Sequence, residues 1–346
     1  MYDYIIVGGG VAGLYAASLL KNKKALLLEE HENLGPRRCS GFISGRLKKF
    51  FDLPPGIVER EIFQANLRCR EACFEFGLNS LVVDKEKFER FLLSRAKKNA
   101  EVKHEQAKSI KKMNSFITVH TQKGSYNTKY IIGCDGANSL VRRTFLANSP
   151  KKYYFGEFAY SDEKPSDSYE VYFDSEYSDL FAWKAPRRGA TEYGLIAKKG
   201  LKAYRERFFS KHCPKNITEK GYGVIPTGLG PCSFERGILI GNAASQTKPL
   251  TGGGVIFSLI AAQIAAKELN KPNPNFLGYE KRCKKIFGRE VWLQMRLRGV
   301  YSRLTDTKKI RLLGLMSKSS TSIDMDFPLT GLLKRNFGVF GRIMGK

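Results

Sequence analysis

Three glycines and one acid near the start of the chain carry the clearest chemistry. Gly8, Gly10 and Gly13 stand in the G-x-G-x-x-G spacing, and Glu29 closes the apolar run that follows. In a dinucleotide site Gly8 permits the tight turn, Gly10 admits a pyrophosphate and Gly13 lets a helix pack on a strand. The bare N–H groups of that helix start attract the phosphates. Glu29 suits ribose hydroxyls and disfavours a 2′-phosphate. Glu30 beside it, and Arg37 or Arg38 one loop away, are further candidates, the arginine offsetting phosphate charge. Two later turns repeat the theme. Cys134-Asp135-Gly136 ends an apolar run, and Gly241-Asn242-Ala243-Ala244 ends another. Gly252, Gly253 and Gly254 then precede an apolar helix, a second bare helix start suited to a flat ring or a phosphate.

The elements around these residues have the required types. Tyr4–Val7 reads as a buried strand, Leu14–Leu20 as a helix and Ala25–Leu28 as a second strand, the context that a dinucleotide motif demands. Residues 62–84 read as short strands with a turn at Gly77-Leu78-Asn79. Asp84 caps an amphipathic helix over Lys85–Lys98. Strands are predicted near 102–110, 115–121 and 124–132. The Tyr130 strand then enters a helix through Asn138 or Ser139, and its return beside the first strand brings Asp135 near the cofactor. Between 150 and 230, strands near 153–160, 168–173, 180–184 and 192–197 precede a basic helix at 201–212. This pattern predicts an antiparallel sheet that walls an apolar pocket. Val255–Leu269 is helical, and from 270 the chain is helical and basic.

Composition bounds the function. The 346 residues are 42% hydrophobic and contain no run of about eighteen apolar residues that would span a membrane. Tyr4–Val7 follows Asp3 and is too short for a signal peptide core, so the first residues are expected to enter a sheet directly. Seven cysteines without a C-x-x-C pair predict free thiols in a reducing cytoplasm and no metal site. The net charge of +26 fits a lysine-rich surface, nucleic acid or an anionic membrane. No nucleic-acid module is found, so no nucleic-acid partner is expected. Residues 295–346 hold eleven Lys/Arg and three Asp/Glu, and the stretch Phe327–Met344 mixes aromatic, aliphatic and basic residues. An interfacial membrane segment and a helix packed on the protein body both have this composition.

Taken together, the three glycine-rich elements resemble FAD-containing oxidoreductases of the aromatic-hydroxylase type, and among them the archaeal geranylgeranyl reductase family. The match runs through Gly8-x-Gly10-x-x-Gly13 with Glu29, Cys134-Asp135-Gly136, and Gly241-Asn242-Ala-Ala with Pro249-Leu-Thr-Gly252-Gly253-Gly254. Val83–Leu92 and Cys39-Ser40-Gly41 also resemble family segments. Phe181-Ala-Trp183-Lys-Ala185-Pro186 resembles the family's substrate motif of aromatic-x-Trp-x-Phe-Pro. Two departures stand out: Asn242 replaces the usual Asp, and Ala185 the usual Phe.

The resemblance implies an α/β fold: a Rossmann-like FAD-binding domain, an antiparallel substrate domain and a helical C-terminal region. Residues 1–150 and 231–270 would form the first, with a small β-region at about 60–84 able to join the substrate side. Residues 151–230 would form the second and 271–346 the third. It implies reduction of geranylgeranyl double bonds in archaeal membrane lipid precursors, with hydride from the flavin and a proton to the other carbon. Phe181, Trp183 and Pro186 would bind the prenyl chain. Cys39 would lie on the catalytic face as a proton donor or a pocket wall. The implied partners are an isoprenoid lipid and an electron donor such as ferredoxin or NAD(P)H; the charge and the C-terminal composition add an anionic membrane on which the cytoplasmic protein would sit peripherally. A flavin monooxygenase or halogenase is the enzymatic alternative, although no Trp-x-Trp-x-Ile-Pro motif is present. A non-catalytic FAD- or lipid-binding protein is the other.

Overall fold

The computed structural model describes residues 1–33, 39–146, 152–319 and 322–328. Two sheets organise them. The first is built on β1 (Tyr2–Val7), β2 (Ala25–Glu29), β6 (Glu101–His104), β7 (Ala107–Lys112), β8 (Ile117–Thr121), β9 (Ser125–Gly133), β15 (Ser233–Phe234) and β16 (Gly237–Leu239). Its spatial order is β15-β16-β9-β1-β2-β6, with β8 on β9 and β7 on β8. The strands from β16 to β6 run parallel. The runs of β1, β2, β16 and the end of β9 are apolar because both faces are covered there. Tyr4, Ile5, Ile6, Leu26, Leu27, Ile131 and Ile132 are all buried, each contributing about 1.5–3 kcal/mol of apolar transfer. Helices α1 (Val11–Ser18) and α2 (Lys85–Ala96) pack together, and α1 also touches α5 (Val255–Leu269).

The second sheet contains β3 (Phe42–Ser44), β4 (Val58–Cys69), β5 (Ala72–Val83), β10 (Lys152–Ser161), β11 (Tyr169–Tyr172), β12 (Phe181–Pro186), β13 (Thr191–Ala197), β14 (Ile217–Thr227) and β17 (Ser322–Ile323). It runs β14-β10-β13-β12-β11-β4-β5-β17, with β3 on β5. The β4/β5 hairpin therefore belongs to this sheet. Helix α3 (Leu140–Phe145) follows β9 and is capped by Ser139. Helix α4 (Leu201–His212) packs on β13. The last helices are α6 (Phe276–Tyr301) and α7 (Asp306–Ser319). No helix among the described residues is long and apolar enough to cross a membrane.

Two local expectations need correction. Gly77-Leu78-Asn79 is not a turn: the chain reverses at Arg70-Glu71, and Gly77 pairs with Gln64 inside the ladder. Asn79 instead packs against Gly45, where any Cβ would lie 1.8 Å from its Oδ1. The single strand expected at 102–110 is two strands, parted at Glu105-Gln106. Buried Glu105 accepts hydrogen bonds there from Thr121 Oγ1 (2.6 Å) and Tyr126 Oη (2.9 Å).

Candidate functional site

The carboxyl ends of β1, β2 and β9 open into one cavity of about 1580 Å³, which continues between the second sheet and helices α6 and α7. Ligands of parallel sheets bind at this end of the strands. Gly8 turns there at φ +100°, and a Cβ on it would lie 2.4 Å from the Cys134 carbonyl oxygen. Gly13 faces the strand, where a Cβ would lie 1.9 Å from the Gly8 oxygen. Gly10 has open space above it, on the cavity wall. Neither α1 nor α5 has a side-chain cap, so both present bare N–H groups to the same cavity.

Glu29 is held by its own neighbourhood. Gly9 N–H donates to Oε2 at 2.5 Å, and His31 N–H donates to Oε1 at 2.9 Å. Glu30 lines the cavity beside it. Asp135 lies on the wall with Gly136, and its carboxylate also anchors the start of α3. It accepts from Ser139 Oγ (2.5 Å) and Val141 N–H (3.0 Å), and burial raises its pKa against those bonds. The Asn242 side chain makes no hydrogen bond among the described residues and reaches toward Gly254. Gly252, Gly253 and Gly254 complete this wall. Gly13, Gly241, Pro249 and Pro186 lie behind the lining, and Arg37 and Arg38 lie outside the described residues.

The other limb of the cavity is apolar. Phe42, Leu67, Val171, Phe181, Trp183 and Ile196 line it from the sheet; Leu297 and Tyr301 from α6, and Leu312, Leu313 and Met316 from α7, close it. The Trp183 ring lies flat over Gly194, where a Cβ would be 2.1 Å from Cζ2. Its Nε1–H donates to Glu192 Oε1 at 2.7 Å. Glu192 is 1% exposed, and burial pushes its pKa up to about 7 against the pull of Arg187. Arg187 joins this pair to the Cys39 loop: it donates to the Ser40 carbonyl and, at 2.7 Å, to Glu59. Cys39 lies on the cavity wall, as does buried Lys85. Burial opposes the Lys85 charge, but Glu89 at 2.7 Å and the nearby Cys39 outweigh it and raise its pKa.

Comparison with known proteins places this arrangement. Residues 6–52 match the model of the NAD(P)-binding Rossmann-like domain. The digeranylgeranylglycerophospholipid reductase of Methanothrix thermoacetophila is 25% identical, covering 96% of each chain. An uncharacterized protein of Methanocaldococcus jannaschii is 28% identical over 92% of this chain and 89% of its own. A geranylgeranyl bacteriochlorophyll reductase-like protein of Thermoplasma acidophilum superposes with a TM-score of 0.86 at 20% identity, over 99% and 98% of the two chains.

The chain is similar over nearly its whole length to proteins named as geranylgeranyl reductases.

Flavin-dependent brominases and monooxygenases share the fold at lower TM-scores. Against that background, several site residues were invisible in the sequence. Gln294 Oε1 accepts from Leu250 N–H at 3.1 Å, and Arg298 donates to the Pro249 carbonyl. Helix α6 thus grips the loop before the triple glycine with two buried side chains one turn apart. Burial lowers the Arg298 pKa to about 10. Lys248 is fixed beneath the same loop by Asp326 at 2.9 Å. Helical spacing was the one available signal for Gln294 and Arg298; Glu192, Arg187 and Asp326 had none. Cys69, Asp174 and Asp306 also come together, but the Lys309 ammonium, 3.1 Å from Asp306 Oδ1, takes the place of a cation there. Of the stretch expected to meet a membrane, residues 329–344 lie outside the described residues.

Proposed function

We propose that the protein is an FAD-dependent reductase that saturates carbon–carbon double bonds of geranylgeranyl chains in membrane lipid precursors. One observation carries the reading. A single cavity joins a glycine-lined polar end to a long aromatic and aliphatic limb, and it exceeds the roughly 300–1,000 Å³ of common small-molecule sites. The polar end fits a flavin dinucleotide: open space over Gly10, two uncapped helix starts and the unengaged Asn242 amide. Gly8 to Ala12 would hold the pyrophosphate and Glu29 the ribose. Asn242 and Gly252–Gly254 would hold the ring side. The near full-length similarity to named reductases favours reduction over oxygen insertion.

Reduced flavin supplies the hydride when bound. The chain does the rest. Trp183, Phe181 and the leucines of α7 keep water from an isolated alkene and hold the chain extended. The Cys39 thiol would give a proton to the second carbon, the Lys85 ammonium would stabilise the thiolate left behind, and a proton from solvent would restore the thiol. Each double bond consumes two electrons, so an external donor must restore the cofactor.

The test is an absorption spectrum of the protein purified without added cofactor, then anaerobic reduction and addition of a geranylgeranyl lipid. Flavin bands that bleach and then return with the lipid, with a gain of two hydrogens per double bond, are the expected result. A colourless protein that takes up no FAD refutes the reading. Reoxidation by air alone, with hydroxylated product, moves the protein to the monooxygenases.

A further inference from the structure

Helix α6 has two faces, and the inner one is used by the site. The outer one is a stripe of cations without acids. The helix contains seven Lys/Arg and two acids, Glu280 and Glu290. Both acids are buried, 7% and 1% exposed. Glu280 accepts from Cys232 N–H and Lys284, and Glu290 accepts from Gln294. Lys281, Lys285, Arg289 and Arg296 are exposed and form no ion pair among the described residues. At about 100° per residue they fall on one line of the helix. Trp292, 55% exposed, sits in the middle of that line with Arg296 stacked 5.1 Å from its ring centre, and Val300 extends it at 44%.

We infer that this face of α6 seats the protein on an anionic lipid bilayer. A basic helix face with an exposed tryptophan and aliphatic neighbours is the composition of an interfacial segment. Other occupants are disfavoured by charge. The chain's own C-terminal stretch, residues 329–346, carries Lys334, Arg335, Arg342 and Lys346 and no acid, so its charge does not complement the stripe. A second copy would bring like stripes together. The inner side of the same turns contributes Leu297 and Tyr301 to the apolar limb. A bilayer on the outer face therefore lies one helix diameter from the cavity proposed to take the prenyl chain. The inference rests on that reading for its purpose, but vesicle binding needs neither flavin nor turnover, so the two fail separately.

The experiment uses the full chain with vesicles of phosphatidylcholine alone, or mixed equally with phosphatidylglycerol. The chain has two tryptophans, and Trp183 is buried, so the emission difference between the wild type and Trp292→Phe reports on the α6 face. Expected are salt-sensitive binding to the anionic vesicles only and a blue shift of Trp292. The triple variant Lys285→Gln, Arg289→Gln, Arg296→Gln should bind about 100-fold more weakly, at roughly fivefold per basic residue. These side chains are exposed, and unchanged thermal unfolding will confirm that the variant folds. Wild-type binding by the triple variant, or binding with Trp292 emission unmoved, overturns the assignment. So does a stripe that ignores vesicles but captures polyglutamate, which would make it a face for an acidic protein.

Discussion

Glu192 shows how the apolar limb holds its shape, and it titrates within reach of experiment. Its carboxyl is sealed between the Trp183 indole at 2.7 Å and the Arg187 guanidinium at 3.3 Å. Burial moves its pKa from 4.5 up to about 7, with Arg187 and the Trp183 bond pulling the other way. Between those values the unfolded chain has released a proton that the folded chain still keeps. Stability therefore falls as pH rises through this window and is level above it. A gap of about 2.5 in pKa, at about 1.36 kcal/mol for each pH decade, is worth roughly 3 kcal/mol. Glu192→Gln keeps a carbonyl acceptor for Trp183 and removes the titration. Urea unfolding of both proteins at about pH 4.5 and about pH 8 reads the effect. The wild type should lose about 3 kcal/mol relative to the variant on going to the higher pH. PH dependences that run parallel within about 0.5 kcal/mol would refute a buried, proton-retaining Glu192.

Other substitutions separate the cofactor wall from the scaffold beneath it. Gly10→Val places its side chain in open space, so the fold should persist while FAD affinity falls by at least about tenfold in a fluorescence titration; Gly13→Val drives a Cβ into the Gly8 carbonyl and should yield little folded protein. Cys39→Ala should lower the rate of lipid reduction by about 10²–10⁴ with FAD affinity unchanged, if the thiol supplies the proton; a rate within twofold of wild type leaves it as a wall. Arg298→Met removes the cation that holds the Pro249 carbonyl, at a cost of about 1.5–3 kcal/mol measured by urea unfolding, with weakened FAD binding alongside. Asn242→Asp puts a charge beside the bare start of α5 and offers a stronger acceptor to a cofactor hydroxyl. FAD should bind roughly fivefold more tightly, and an unchanged dissociation constant would show that this side chain does not face the cofactor.

Where sequence reading succeeded, the cause was local backbone geometry. Gly8 and Gly13 are required by contacts within one strand–turn–helix unit, so their spacing carries the structure. Asp84 and Ser139 cap their helices for the same short-range reason. Val255–Leu269 and Leu201–His212 came out at their observed bounds because a glycine precedes each one. Failure followed where a residue serves a distant partner. Gly77 and Asn79 have turn chemistry, yet a twelve-residue ladder and the space over Gly45 hold them in a strand.

Helix α6 shows the limit most plainly. Arg296 and Arg298 are two residues apart and identical in type, and their helical phases differ by about 200°. One faces outward and stacks on Trp292; the other is 5% exposed and lies 3.2 Å from the centre of the Tyr154 ring. Residue type does not distinguish them: the buried role of Arg298 is made by Pro249 and Tyr154, which lie far from it in sequence. A basic, mildly amphipathic helix can be read from such a sequence, but not which of its cations are structural. The fold resolves this by spending both acids of α6 inside, on the Cys232 backbone and on Gln294. The same choice steadies the loop that precedes the triple glycine and leaves the outer face with positive charge alone. Cofactor loop and surface charge are in this way set by one helix, and substitutions on its two faces should act independently, since they share no partner.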